Sequence, residues 1–238
     1  MPSSPAGPPA DASVLLTHAG HGGGGAVDVA ALLAALGLGL FHGVNPAMGW
    51  LFALSYGLQE KSRRALLRSL AWIVLGHELS VLPTALVVTL FASQVSRGLA
   101  LGVVAVVLLV FGAVQLLRPR HFRWVGMRLK PWQLAWWSFL MSTASGAGLM
   151  LAPVLLSTTT SGHEDAVAGA LAGDLWAAVL VAVVHALGMA LAAGATALVV
   201  YQVLGLRVLR SHWINLDKLW AIAFLVAGTG VALAWWLG

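Results

Sequence analysis

The run Phe-His-Gly-Val-Asn-Pro-Ala-Met-Gly, residues 41–49, lies in the middle of a long apolar stretch that would otherwise form one continuous helix. Pro46 cannot donate a backbone hydrogen bond, and its ring presses against the carbonyl group four residues earlier, that of His42. The run therefore predicts a broken helix with His42 and Asn45 beside the break. Lipid would satisfy neither side chain, so we expect both to face a protein interior or a wet cavity.

The rest of the chain has the composition of a membrane protein. Of its 238 residues, 60% are apolar and 9% are charged, whereas a soluble domain carries about 25% charged residues. There is no cysteine, which excludes disulfides, thiolate metal sites and dithiol redox chemistry. The net charge of +5 comes from short clusters between apolar runs, which is how a membrane protein marks its cytoplasmic side. We therefore expect a lipid bilayer as partner and no nucleic acid.

Six stretches are apolar and long enough to cross a bilayer, which takes about 20 residues. They are residues 29–58, 66–92, 98–117, 132–156, 175–201 and 219–237. The predicted fold is all-α: a polytopic membrane protein with six transmembrane helices. Residues 1–27, rich in Pro, Ser, Ala and Gly, are predicted to be a flexible extracytoplasmic tail. Residues 28–130 and 131–238 then hold three spans each.

The basic residues predict the orientation. They fall in the loops after the first, third and fifth spans, within residues 61–68, 118–130 and 207–218. If these loops are cytoplasmic, every Lys and Arg except Arg97 lies inside. The prediction is a multi-pass protein of the cytoplasmic membrane with both termini outside.

The two halves share a pattern. Each opens with a glycine-rich helix that a proline interrupts, at Pro46 and at Pro153, and each second helix carries one mid-span histidine, His77 or His185. Because three is odd, a repeat of three helices enters the membrane upside down the second time. Inverted repeats place the substrate site near the midplane, on broken helices. The alternative is that Gly and Pro are simply frequent in membrane helices.

Three histidines, His42, His77 and His185, are the candidate metal ligands. Each lies about 12 to 14 residues from the end of its predicted span, so all three share one depth at the helical rise of about 1.5 Å per residue. Imidazole suits nickel, cobalt, zinc and copper. The alternative is that each histidine only ties two helices together by a hydrogen bond.

Other polar residues could complete this site. The freed His42 carbonyl, its imidazole and Asn45 would share one helical face, as expected for cation coordination. The alternative is a proline kink in which Asn45 caps the second half-helix. Met189 shares a face with His185 at i, i+4, and a thioether beside an imidazole suits copper.

Glu78 is the one carboxylate well inside a predicted span. It could orient an imidazole, supply counter-charge or carry a proton, or it could pair with an inward-reaching Arg. Ser142 and Ser145 lie at mid-depth in the fourth span and are predicted to line the pathway, although such hydroxyls often only bond back to their own helix.

The motifs at residues 41–49 and at Leu75-Gly-His-Glu-Leu-Ser80 resemble the nickel/cobalt transporter family within the wider lysine-exporter superfamily. The resemblance implies the three-plus-three helix fold and places His42 and His77 on the pathway. Nickel/cobalt members place an acidic residue at helix spacing from the first histidine, where this chain has Asn45 and Pro46. Thiol-transporting members of the superfamily need a cysteine in each half, so that chemistry is excluded.

These observations predict a transporter, not an enzyme, that moves a small solute, with a transition-metal cation as the leading substrate. One alternative is a membrane cytochrome or accessory subunit in which two of the histidines hold a haem. Another is an intramembrane metalloenzyme with Glu78 as base, but the sequence has no His-Glu-x-x-His run. A second copy of the chain or a larger membrane complex stays open as a partner.

Overall fold

A computed structural model describes residues 27–117, 130–159, 167–204 and 216–237. All regular structure in these ranges is helical. The helices are α1 Val29–Val44, α2 Trp50–Gln59, α3 Arg63–Gln94, α4 Arg97–Leu117, α5 Pro131–Ser145, α6 Ala152–Thr158, α7 Val167–Val199 and α8 Leu216–Leu237. Short 3-10 turns, Pro46–Met48 and Leu149–Leu151, join α1 to α2 and α5 to α6, and a π-helical turn, Val200–Leu204, follows α7.

Three helices are long and apolar enough to cross a membrane: α3, α4 and, as Gly169–Gln202, α7 with part of the turn that follows it. A fourth span results if Trp132–Ser145 and Leu149–Thr158, bent by 52° at their break, count as one. The helices Val29–Val44 and Ala221–Leu237 are apolar but shorter. The all-helical class is therefore confirmed, with three or four of the six expected spans found among the described residues. The count of six and the inverted repeat remain predictions.

Large apolar side chains lie exposed in the middle of the long helices. Leu79 on α3, Val106 on α4, Leu191 on α7 and Val226 on α8 are each more than half exposed, at 57%, 61%, 64% and 67%. A soluble monomer rarely leaves extended apolar surface open to water. These faces are compatible with contact to lipid chains.

The first broken helix ends at Val44 and turns at Asn45. The Asn45 backbone N–H donates to the His42 carbonyl at 3.0 Å, and its side-chain Oδ1 accepts from the N–H of Ala47 at 3.0 Å. Gly49 then takes a φ of 107°, a left-handed conformation that favours glycine, and α2 begins at Trp50. The expectation that Pro46 leaves the His42 carbonyl unbonded is wrong. The chain leaves the helix before the proline, so Asn45 is not on the face of α1.

The second broken helix ends differently. Gly146 takes a φ of 72°, its N–H donates to the Thr143 carbonyl at 3.2 Å, and the N–H of Ala147 donates to the Ser142 carbonyl at 3.0 Å. This pair of bonds is a Schellman cap, which a left-handed glycine completes. Pro153 instead sits in the first turn of α6, where a missing N–H costs nothing. The interruption thus lies at Gly146, not at the proline that the sequence suggested.

The main helix pairs are α1 with α7, α3 with α5, α3 with α7, and α4 with α8. Two of these pairs approach at backbone distance. A Cβ on Gly43 of α1 would meet the Met189 carbonyl of α7, and a Cβ on Gly76 of α3 would meet the Ala135 carbonyl of α5. Glycine permits this contact because nothing projects between the two backbones.

Two buried apolar clusters fill the interior between α1, α3, α5 and α7. Cluster A includes Met48, Ile73, Leu134 and Met189. Cluster B includes Ala35, Val81, Ala147 and Ala182. Along the chain, α1 and α7 run from B towards A, whereas α3 and α5 run from A towards B. Neighbouring helices of the bundle therefore cross the interior in both directions.

Candidate solute-binding site

Three histidines from three helices meet in the interior. His42 on α1, His77 on α3 and His185 on α7 each have 0% of their surface exposed. Their ring centroids are 5.4 Å apart for His42 and His77, 4.9 Å for His42 and His185, and 5.5 Å for His77 and His185. The structure thus brings together three imidazoles that lie far apart in the sequence.

Two of these rings touch through their outer nitrogens. The Nε2 atoms of His77 and His185 are 3.3 Å apart, with the ring planes at 20° to each other. The third ring is held from its own helix, since the His42 Nδ1 lies 3.1 Å from the Leu38 carbonyl. A carbonyl only accepts, so this Nδ1 carries the proton and leaves the acceptor lone pair on Nε2. A backbone carbonyl on one nitrogen is how proteins orient a histidine whose other nitrogen binds a metal.

The histidines belong to a polar layer between the two apolar clusters. On α1, His42 lies between Ala35 of cluster B and Met48 of cluster A. His77 lies between Ile73 and Val81 on α3, and His185 lies between Ala182 and Met189 on α7. Each histidine therefore lies between the two clusters along its helix, and their common membrane depth stays a prediction.

The fourth helix crosses the same layer with hydroxyl groups. On α5, Ser138 and Ser142 lie between Leu134 of cluster A and Ala147 of cluster B, and both serines have 0% of their surface exposed. Ser142 is one of the residues predicted from the sequence to line the pathway, whereas Ser138 is not. The signal was present, because the two serines are four residues apart and so share one face of an apolar helix.

The other predicted site residues have more local roles in the structure. Asn45 caps the 3-10 turn that begins at Pro46. It does not cap the second half-helix α2, as the alternative expected, because the N-cap of α2 is Gly49. Met189 is fully buried in cluster A, where Gly43 packs on its backbone. The Ser145 hydroxyl donates to the Ser142 carbonyl at 3.1 Å. None of these contacts tests a role in binding.

Glu78 neighbours His77 in sequence but not in direction, because adjacent helical residues point about 100° apart. Its side chain is partly buried, and its Oε1 is enclosed without a hydrogen-bond partner among the described residues. The His77 Nδ1 is enclosed in the same way within this part of the chain. Buried polar groups are normally paired, so each of these two atoms marks a separate position on α3 where a polar ligand could bind.

In the described ranges, no group of three or more His, Asp or Glu side chains is placed so that it could hold a metal ion. The His77–His185 nitrogen spacing of 3.3 Å nevertheless suits two ligands of one tetrahedral ion, since metal–nitrogen bonds of about 2.0 to 2.1 Å place such nitrogens about 3.3 to 3.4 Å apart. Two of the three imidazoles are therefore spaced like ligands of one ion, but the three side chains are not arranged around a single ion.

Compared with known proteins, the chain matches no family model, no curated protein and no solved structure. The resemblance to the nickel/cobalt transporter family therefore stays an expectation from two short motifs. The predicted N-terminal tail and most of the second and third basic loops lie outside the described residues, within 1–26, 118–129 and 205–215.

Proposed function

We propose that this protein is a membrane transporter of a small solute, with a transition-metal cation as its leading substrate and His42, His77 and His185 as its binding site. The observation that carries the proposal is the convergence of three fully buried imidazoles, with ring centroids 4.9 to 5.5 Å apart. Ionisable groups inside a membrane protein are costly and most often mark a path for ions or protons. A purely structural role would need only one histidine per helix contact, whereas here the three rings contact one another.

The spacing of the rings favours a small cation over a haem. The His77 and His185 Nε2 atoms are 3.3 Å apart, whereas axial ligands on opposite sides of one iron would stand about 4 Å apart at metal–nitrogen bonds of about 2.0 Å. A porphyrin would also need a wide slot between α3 and α7. These helices pack against each other directly. We therefore keep the bis-histidine haem as the alternative and the cation as the proposal.

The packing supports the inverted repeat that such a transporter would use. In an inverted repeat, α1 corresponds to α5, α3 to α7 and α4 to α8. The contact between α1 and α7 then corresponds to the contact between α5 and α3, and the contacts α3–α7 and α4–α8 correspond to themselves. All of these pairs are present. The corresponding helices α1 and α5, and α3 and α7, also cross the polar layer in opposite directions, as inversion requires. Rocking one half against the other around the histidines would then give alternating access.

Glu78 would provide counter-charge or carry a proton, because its carboxylate directly follows His77 in the sequence. Met189 follows His185 by one helical turn and could add a thioether ligand if the solute is copper. Asn45 and Pro46 would act by holding the break beside His42.

Binding can be tested with the purified protein. We expect wild-type protein to retain a transition metal, detected by mass spectrometry, and to show no haem band in its visible spectrum. His42→Gln, His77→Gln and His185→Gln should each lose most of this metal, because Gln keeps a polar side chain but removes the imidazole nitrogen. Ser69→Ala is the matched control, since Ser69 is buried on α3 two turns from His77 and its hydroxyl donates to the Ala65 carbonyl.

Full metal binding and full uptake into proteoliposomes by all three histidine variants would show that the imidazoles are structural. A haem absorption band in the wild-type protein would instead favour the cytochrome.

The proposed orientation in the cytoplasmic membrane has its own test. The chain has no cysteine, so single cysteines can be introduced at the exposed positions Glu60 and Gln94, near opposite ends of α3. An impermeant thiol reagent applied to intact cells should label Gln94→Cys and spare Glu60→Cys, because the basic loop at 61–68 is held on the cytoplasmic side. The reverse pattern would overturn the orientation and the external termini.

A further inference from the structure

Three buried hydroxyls of the helices have no hydrogen-bond partner among the described residues: those of Thr89 on α3 and of Ser138 and Ser142 on α5. The two serines lie four residues apart on one helix, and other hydroxyl residues of the helices behave differently. A Ser or Thr inside a membrane helix commonly bonds back to its own backbone. Ser69, Thr84 and Thr143 do so, at 2.9, 2.8 and 2.8 Å from the carbonyls of Ala65, Ser80 and Phe139. The hydroxyls of Ser138 and Ser142 are fully enclosed and have no hydrogen-bond partner among the described residues.

These two serines lie in a stretch of the α3–α5 interface that has a close contact between the helices at each end. At one end the backbones of Gly76 and Ala135 approach each other, and at the other the Ser80 Oγ and Thr143 Oγ1 are 2.9 Å apart. Between these contacts α5 carries both serines and α3 carries His77, whose Nδ1 is also without a partner in the described chain. Enclosed polar atoms on both helices thus share one stretch of the interface.

The packing also makes Ser142 the counterpart of His42. Each residue lies in the last turn of a helix that ends at a break, α1 at Val44 and α5 at Ser145. Each of these helices packs on the long helix of the other half, α7 for α1 and α3 for α5. His42 meets His185 on α7, so the proposed inverted repeat would set Ser142 opposite His77 on α3.

We propose that Ser138 and Ser142 hold a water molecule that stays on the cation when three histidines bind it. Three imidazoles fill three positions of a tetrahedral divalent ion, and the fourth is commonly a water. That water needs hydrogen-bond partners, which two enclosed hydroxyls can supply. The inference rests on the proposed function and narrows its substrate to a divalent, partly hydrated ion such as Ni²⁺, Co²⁺ or Zn²⁺. Cu(I) prefers soft ligands, so its binding would not involve the two serine hydroxyls.

The test compares Ser138→Ala, Ser142→Ala and the double variant with Ser69→Ala as control. Binding of Co²⁺, Ni²⁺, Zn²⁺ and Cu(I) is measured by titration, and the visible spectrum of bound Co²⁺ reports its coordination. We expect the double variant to bind the divalent ions about 10-fold or more weakly, as for other groups that hold a metal's outer ligands. Its Cu(I) affinity should stay unchanged, and its Co²⁺ spectrum should shift.

The metal-free protein gives a further readout. Removing an unpartnered hydroxyl should leave the unfolding temperature unchanged or raise it, because an enclosed polar atom without a partner is destabilising. Should the double variant fail to fold, the two single variants decide, each with a smaller loss.

Equal weakening of Cu(I) and divalent binding, or a lowered unfolding temperature in the metal-free single variants, would mean that the serines are structural. Wild-type affinities in all serine variants would also overturn the inference and would leave the three-histidine proposal standing. A wild-type protein that binds no cation would refute the proposed function itself.

Discussion

The α1–α7 contact and the α3–α5 contact use the same packing for different chemistry. Each sets a broken helix against a long unbroken one, and each relies on a glycine, Gly43 or Gly76, at backbone distance. The first contact brings His42 against His185, whereas in the second α5 carries the enclosed serines Ser138 and Ser142 and α3 carries His77. Packing and ligand chemistry are thus set by different residues. Small residues fix how closely the helices approach, whereas the polar residues between the clusters decide what can bind.

The largest expected effect comes from filling the glycine contacts. A Cβ at Gly43 would meet the Met189 carbonyl and lie 2.8 Å from the Ala192 Cβ, so α1 must move away from α7. We expect Gly43→Ala to lower stability by about 3 kcal/mol or more, near the upper end for overpacking, and to weaken metal binding because His42 moves with α1. Thermal unfolding in detergent, with metal analysis, measures both.

Gly37→Ala on the same helix is the control, since nothing lies within 4 Å of its added Cβ. That variant should be neutral or gain about 0.5 to 1 kcal/mol from helix propensity. Gly76→Ala should be as harmful as Gly43→Ala if the two contacts are equivalent. A mild Gly76→Ala would show that only the α1–α7 contact is rigid.

The two helix breaks should respond to different substitutions. Gly146→Ala forces an alanine into a left-handed conformation, which costs about 1 to 2 kcal/mol, and its Cβ would lie 2.7 Å from the Phe111 ring. Asn45→Ala removes the side-chain cap and should cost about 1 kcal/mol, while Asn45→Ser should recover part of it by keeping an acceptor. Chemical unfolding of the four proteins gives the order. If Asn45→Ala and Asn45→Ser are equally unstable, the Asn45 Oδ1 cap is not what holds the first break.

The smallest effect is expected at the hydroxyl pair of the α3–α5 contact. Ser80 Oγ and Thr143 Oγ1 are 2.9 Å apart, and hydrogen bonds between membrane helices contribute about 0.6 kcal/mol on average. A double-mutant cycle with Ser80→Ala and Thr143→Val should give a coupling energy of that size. A coupling near zero would indicate that Gly76 and the apolar clusters alone hold α5 in place.

Much of the architecture could be read from local sequence. Long apolar runs and few charges determine membrane-type helices, because a buried backbone in lipid must satisfy its own hydrogen bonds. The motif at residues 41–49 predicts a helix break close to where the structure has it, because a proline and an asparagine affect the backbone of only the few residues around them. The second break was misplaced at Pro153, because proline is harmless in a first helical turn while Gly146 closes the preceding helix.

The helical class and the first break could be predicted from the sequence, because apolar runs and a proline beside an asparagine act on the local backbone. The shared membrane depth of His42, His77 and His185 is a prediction from the helical rise alone. Only the tertiary structure decided which way these side chains face, that two ring nitrogens come within 3.3 Å, and that Ser138 belongs to their layer. Those facts depend on how each helix is rotated about its axis. That rotation is set by glycine contacts such as Gly39 against the His185 carbonyl, between residues more than a hundred positions apart in the chain.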